Sequence, residues 1–101
     1  MKVKWHPEAE KEFLELEKEV QKKVIEGKEQ LAEKGLKFEK AGPVFDPELG
    51  LEAFRLRIDS GKANHRLVFD IADSCIVIYK VGRRDSFYSQ EKLEEVKDRK
   101  K

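Results

Sequence analysis

FRLRIDSGKANHRLVF, residues Phe54 to Phe69, decides how this chain reads. Phe54, Leu56 and Ile58 recur at every second position with Arg55 and Arg57 between them. After a polar turn at Ser60-Gly61, Leu67, Phe69 and Ile71 share one face and Arg66 takes the other. A period of two is the mark of a strand, whose successive side chains point to opposite faces, and two such runs across a short turn read as a hairpin. Cys75 to Val81 follows a turn at Asp73-Ser74 as the third strand, and the run VGRRDSFYS (Val81 to Ser89) brings Arg83, Arg84 and Tyr88 to the rim. One sheet face is therefore apolar and the other rich in arginine. Guanidinium groups on neighbouring strands repel unless an anion lies between them, and their planar forks suit phosphate oxygens. Arg55, Arg57, Arg66, Arg83, Arg84 and, in the turn, Lys62 are the phosphate-binding candidates. The same alternation is also the ordinary solvent face of a half-covered sheet.

Upstream of the hairpin, Val3 and Trp5 alternate with lysines as a short first strand, which Pro7 stops. Proline at a first helical position, with Glu8 and Glu10 in the first turn, starts a helix well. Ala9, Phe13, Leu16, Val20, Val24 and Leu31 form an apolar stripe at mostly three- and four-residue steps, ended by Gly35. The stripe is long for so small a domain, which favours two helices or a strong kink near Glu17 to Glu19 over one continuous helix. Gly42-Pro43, Asp46-Pro47 and Gly50 make Lys40 to Gly50 a surface loop. Ser89 to Lys101, with Leu93 and Val96 among many charges, reads as a short C-terminal helix with a solvated basic end at Arg99, Lys100 and Lys101. The expected architecture is α+β: a two-layer β-α-α-β-β-β domain over residues 1–101, two N-terminal helices on one face of a mainly antiparallel four-stranded sheet, and the opposite face uncovered.

The totals agree with one core. The chain has 101 residues, of which 39% are hydrophobic and 43% charged, and its apolar residues are periodic rather than scarce. Cys75 has no partner cysteine and lies in an apolar run, as a small buried hydrophobe in a reduced compartment. The net charge of +1 divides into an acidic N-terminal half and a basic C-terminal half that holds most of the arginine strands. The charged start MKVKW and the short apolar run Ile76 to Tyr79 give no targeting or membrane segment, so the expectation is a cytoplasmic protein. His6 and His65 are far apart and no metal-ligand spacing occurs, so no metal and no small-molecule cofactor are expected.

An arginine face suits the extra charge that develops when a phosphodiester is attacked, and Tyr88, with Phe87 as a second candidate, offers a ring for stacking on an unpaired base. Attack by the neighbouring 2′-hydroxyl would need proton transfer and charge stabilisation but no metal. His65 is the only histidine near this face, yet by alternation it points with Leu67 towards the helices, as a satisfied, partly buried histidine does. Trp5 reads as core or core margin.

Taken together, the strand and two helices, FRLRI, HRLVF (His65 to Phe69), VGRRDSFYS and the short last helix resemble the RelE/ParE superfamily of toxins from toxin–antitoxin pairs, over almost the whole chain. Resemblance to the RelE branch implies a type II toxin that is a ribosome-dependent mRNA endoribonuclease, working by 2′-hydroxyl attack and inhibiting translation. Its partners would be a cognate antitoxin, the ribosome and mRNA. Carried over by position, Arg66, Arg84 and Tyr88 are the catalytic set: the arginines stabilise the phosphate and the tyrosine orients the RNA. Arg55 and Arg57 stand where such enzymes commonly carry basic residues; arginine keeps its proton, so the pattern assigns no general base. A ParE-like inhibitor of DNA gyrase shares the overall pattern, and a non-toxic module that binds antitoxin and regulates its own operon is the third reading.

Overall fold

In a computed structural model of the chain, residues 1–60 and 63–101 are described, apart from the side chains of Ser60, Ala63 and Ser86. Strand β1 (Lys2–Trp5) leads to helices α1 (Pro7–Leu14) and α2 (Lys18–Lys34) and a 3-10 turn (Gly35–Lys37). Strands β2 (Ala41–Asp46), β3 (Leu51–Ser60), β4 (Ala63–Ala72) and β5 (Cys75–Arg83) follow, then a single helical turn α3 (Arg84–Phe87) and helix α4 (Gln90–Arg99). The sheet order is β1-β5-β4-β3-β2, with β1 parallel to β5 and the other neighbours antiparallel.

The α+β class is the expected one, with a fifth strand. Residues read as a loop form β2, which pairs with β3 from Ala41 opposite Leu56 to Asp46 opposite Leu51. Gly42 and Pro43 are breakers inside a sheet, but an edge strand pairs along one side only and tolerates a proline there.

Pro7 opens α1 beneath His6, whose Nδ1 accepts the Glu8 N–H at 3.1 Å. The apolar stripe is indeed broken into two helices, and one side chain caps the break. Gln21 Nε2 donates to the carbonyls of Phe13, Leu14 and Leu16 at 3.1, 3.3 and 3.1 Å, capping the end of α1 from within α2. Between them the helices bury Ala9, Val20, Val24 and Leu31 against Leu56, Ile58, Leu67, Phe69, Ile76, Ile78 and Val81. Each fully buried large side chain here contributes roughly 1.5–3 kcal/mol. Gly27 lets α2 approach closely, since a Cβ there would stand 2.8 Å from Ile58 Cδ1. Trp5 sits at the margin of this core with its ring centroid 5.1 Å from that of Phe13.

The second sheet face, expected to be bare, is partly covered. Leu93 and Val96 of α4 pack with Phe87 on Val44, Leu51, Ala53 and Val68. Only the end of that face bearing Arg55, Arg57 and Arg66 escapes the helix. The basic C-terminus is likewise anchored rather than solvated: Arg99 donates to Glu12 and to the Tyr79 carbonyl, and Lys100 to Asp70 Oδ2 at 2.7 Å and the Glu52 carbonyl. Lys101 alone keeps the expected exposure.

A register shift between Val68 and Phe69 leaves Tyr79 as an extra residue in β5. Ile76, Ile78 and Val81 consequently all reach the helix-side core. Among the described residues no helix is long and apolar enough to cross a membrane.

Candidate phosphate-binding face

Strands β3 and β4 set the frame. Arg57 stands directly opposite Arg66, and Arg55 opposite Val68, on the side away from α1 and α2. Two guanidinium groups directly across a ladder repel, and Asp59, two residues along β3, offsets this. Arg66 Nη1 donates to Asp59 Oδ1 at 2.8 Å and to the His65 carbonyl at 2.8 Å. Arg66 is only 7% exposed, so its charge is partly neutralised by a carboxylate of its own strand pair.

Arg55 is held differently. Its neighbour across the ladder is Gly42, and its guanidinium lies against that glycine's backbone. Arg55 Nη1 is buried without a hydrogen-bond partner among the described residues. Arg57 is exposed.

Tyr88, 41% exposed, follows α3, and its hydroxyl feels the charges of Arg55, Arg66 and Arg84. Burial pushes its pKa above the ordinary value of 10.0, against the charges of Arg55, Arg66 and Arg84. The phenol therefore stays protonated at neutral pH and can donate to an anion. Arg84 starts α3 at the surface and lines an open hollow with Asn64, Asp85, Tyr88 and Ser89. Among the described residues it forms no ion pair.

Other expected members fall elsewhere. Arg83 is paired with His65 in the register, and Gly82 with Arg66. The extra residue in β5 thus turns Arg83 to the helix side, where it lies 3.6 Å from Asp85. Phe87 is 2% exposed within the second core and meets Tyr88 edge-on at 5.4 Å, so it has no free face for a base. Gly61 and Lys62 lie outside the described residues.

His65 points to the helix layer, as alternation required. Its pKa is lowered, chiefly by burial and then by the Arg83 charge, against smaller pulls from Asp85 and Glu17. Nδ1 accepts the Asn64 N–H at 3.2 Å. A neutral, enclosed imidazole on the wrong face is a structural group. Among the described residues no three His, Cys, Asp or Glu side chains gather in a way that could hold a metal ion.

One charged cluster escaped the sequence reading. Lys80, 4% exposed, donates to Glu12 at 2.9 Å and Glu95 at 2.7 Å, and Arg99 grips Glu12. Glu12 also accepts the Val81 N–H, and Arg99 reaches the Tyr79 carbonyl, so side chains satisfy the β5 edge beyond the end of β1. The available signal was Lys80 itself, one charge inside the apolar run Ile76 to Val81.

The same fold occurs in toxins of known structure. A chain of the archaeal RelE–RelB complex from Pyrococcus horikoshii OT3 is 21% identical with a TM-score of 0.65, over 83% of this chain and 94% of that one. Free Escherichia coli toxin RelE, in a doubly arginine-to-alanine mutated form, is 15% identical with a TM-score of 0.70, over 97% and 95%. A chain of the Staphylococcus aureus YoeB–YefM complex is 20% identical with a TM-score of 0.64, over 83% and 97%. At these identities the likeness concerns the fold. No curated protein sequence matches the chain. Residues 3–88, from β1 through the arginine strands to Tyr88, match the family model described as ParE toxin of type II toxin-antitoxin system, parDE. The chain belongs to that family of type II toxins, within the RelE/ParE superfamily.

Proposed function

We propose that residues 1–101 act as a single toxin domain that cleaves translated mRNA on the ribosome, in the cytoplasm, and is restrained by a cognate antitoxin. The observation that carries this reading is the surroundings of Tyr88, where Arg55, Arg66 and Arg84 act on one protonated hydroxyl. A phosphodiester laid there would meet several donors at once. When the neighbouring 2′-oxygen bonds to phosphorus, its proton is lost, the bond to the 5′-oxygen breaks and that oxygen takes up a proton. Charge accumulates on the phosphate oxygens meanwhile, and fixed guanidinium groups stabilise it without reorganising.

In this scheme Arg84 is the free electrophile and Tyr88 the donor and stacking platform. Arg66, tied to Asp59, holds the other side of the phosphate. Arg55 and Arg57 bind the RNA backbone. Arg83 and Lys62 add to the attracting field, with Arg83 on the far side of the sheet. No general base emerges, because His65 is enclosed and the tyrosine holds its proton. The structural kinship with RelE–RelB and YoeB–YefM complexes supports an antitoxin partner.

Cleavage of mRNA on programmed ribosomes by the wild type and by Arg84→Ala tests this. Cutting by the wild type that Arg84→Ala abolishes is expected; equal cutting by both would remove Arg84 from the chemistry.

A second reading has its own support. The matching family model is that of ParE, and the Asp59–Arg66 pair withdraws one arginine from a substrate. A ParE-like protein would inhibit DNA gyrase with no chemistry on RNA. Inhibition of supercoiling without mRNA cleavage would establish it.

A further inference from the structure

Arg55 and Gly42 face each other across the β2–β3 ladder, on the open rim of the arginine face. A Cβ built on Gly42 would lie 2.9 Å from Arg55 Nη2, 3.1 Å from Cζ and 3.6 Å from Nη1. These distances describe a guanidinium folded over the strand in the space that a side chain would otherwise occupy. The backbone at Gly42 does not adopt the left-handed conformation, so space and not dihedral freedom distinguishes glycine here. The seat has a further property: Arg55 Nη1 is shielded from water yet finds no acceptor among the described residues. A shielded N–H of a permanent cation that lacks its hydrogen bond marks a donor the sheet itself leaves unused.

We propose that Gly42 is a positioning residue, whose missing side chain seats the Arg55 guanidinium across edge strand β2 and so fixes its charge beside Tyr88. The use made of that charge, as a contact to a phosphate of single-stranded RNA, rests on the reading of this face as a nucleic-acid surface. Without the seat, so long and flexible a side chain would spread its charge over many rotamers and lose entropy on each encounter. The glycine removes that loss in advance. Arg55 also opposes the upward shift of the Tyr88 hydroxyl, so the hydroxyl reports where the charge sits.

The test uses the full chain carrying Tyr79→Phe, which leaves Tyr88 as the only titrating tyrosine. Tyr88 ionisation is followed by ultraviolet absorbance, and binding of a short single-stranded RNA oligonucleotide is measured across a salt series. In Gly42→Ala the tyrosine titrates at higher pH than in the parent, close to Arg55→Ala. RNA binds about tenfold more weakly, and the slope of log affinity against log salt shrinks by about one. Gly42→Ala combined with Arg55→Ala behaves as Arg55→Ala alone. A Gly42→Ala protein that titrates like the parent, while Arg55→Ala shifts, overturns the seat. If Gly42→Ala unfolds, restoration of the fold by adding Arg55→Ala supports the seat, and failure to restore it overturns it. Shifted titration in both single variants with RNA affinity unchanged upholds the seat and removes the nucleic-acid reading instead.

Discussion

Arg99 closes on Glu12 with two bonds, Nη1 to Oε1 at 2.9 Å and Nη2 to Oε2 at 3.0 Å, joining the last helix to the first. Lys80 lies beneath this pair and reaches both Glu12 and Glu95. The four groups form one alternating cluster over the exposed edge of β5. They also fix the C-terminal helix that follows Tyr88 directly, so the cluster indirectly positions the arginine face.

Removing one partner from such a cluster leaves the others uncompensated, which is costlier than the attraction itself. Glu12→Gln should destabilise the protein by about 3 kcal/mol, seen as a lower urea midpoint with an unchanged slope. Arg99→Met added to it should cost much less than it does alone.

The cluster also predicts an acid response. Glu12 is pushed up by burial, but hydrogen bonds from Arg99 and Lys80 outweigh this and hold it below the usual 4.5. Glu95 is lowered chiefly by its hydrogen bond from Lys80. For both carboxyl groups the unfolded chain binds a proton before the folded one as pH falls. Their stabilisation is thus complete above 4.5 and is lost as pH falls through the lower folded values. Arg99, whose pKa is raised, stays charged throughout. Urea midpoints measured from pH 6 downwards should fall less steeply in the Glu95→Gln protein than in the wild type.

Gln21→Ala should cost about 1–2 kcal/mol, because three carbonyls at the end of α1 lose their common donor and are only partly recovered by water. Thermal unfolding is the check, with Gln21→Glu expected to be worse, since a carboxylate would face three acceptors.

Arg84→Ala should leave stability within about 0.5 kcal/mol, as an exposed residue does, while reducing mRNA cleavage by roughly a hundredfold or more. Tyr88→Phe keeps the ring but not the donor. It should lose less cleavage than Tyr88→Ala, and the gap between the two measures stacking.

Asp59→Asn removes the carboxylate that partly neutralises Arg66 and raises the net charge by one. Single-stranded RNA should bind more tightly, with a steeper salt dependence, at a modest cost in thermal stability. Unchanged affinity would show that Arg66 serves the sheet and not the ligand.

Strands β3, β4 and β5 were legible because Leu56, Ile58, Leu67 and Phe69 alternate cleanly, and that pattern also placed Arg55, Arg57 and Arg66 on one face. The edge strand β2 was not legible. Gly42 and Pro43 carry the local signature of a loop, and their strand conformation comes from pairing with residues ten or more positions away. The side on which Arg83 lies was equally hidden, since one extra residue at Tyr79 inverts every later position in β5. Two helices follow from the length of the stripe, but the cap that Gln21 places on α1 leaves no periodic trace. The basic end of the chain looked solvated because Glu12, which receives Arg99, is remote in sequence.

The parallel pairing of β1 with β5 ties Lys2 to Cys75 and Trp5 to Ile78. During synthesis the first strand must therefore wait, unpaired, until some seventy further residues have been made, and closing so long a loop is slow. Helices α1 and α2 meet the same delay, because the sheet face they cover does not yet exist. The finished arginine surface thus arises in a late step, well after most of the polypeptide has left the ribosome that made it.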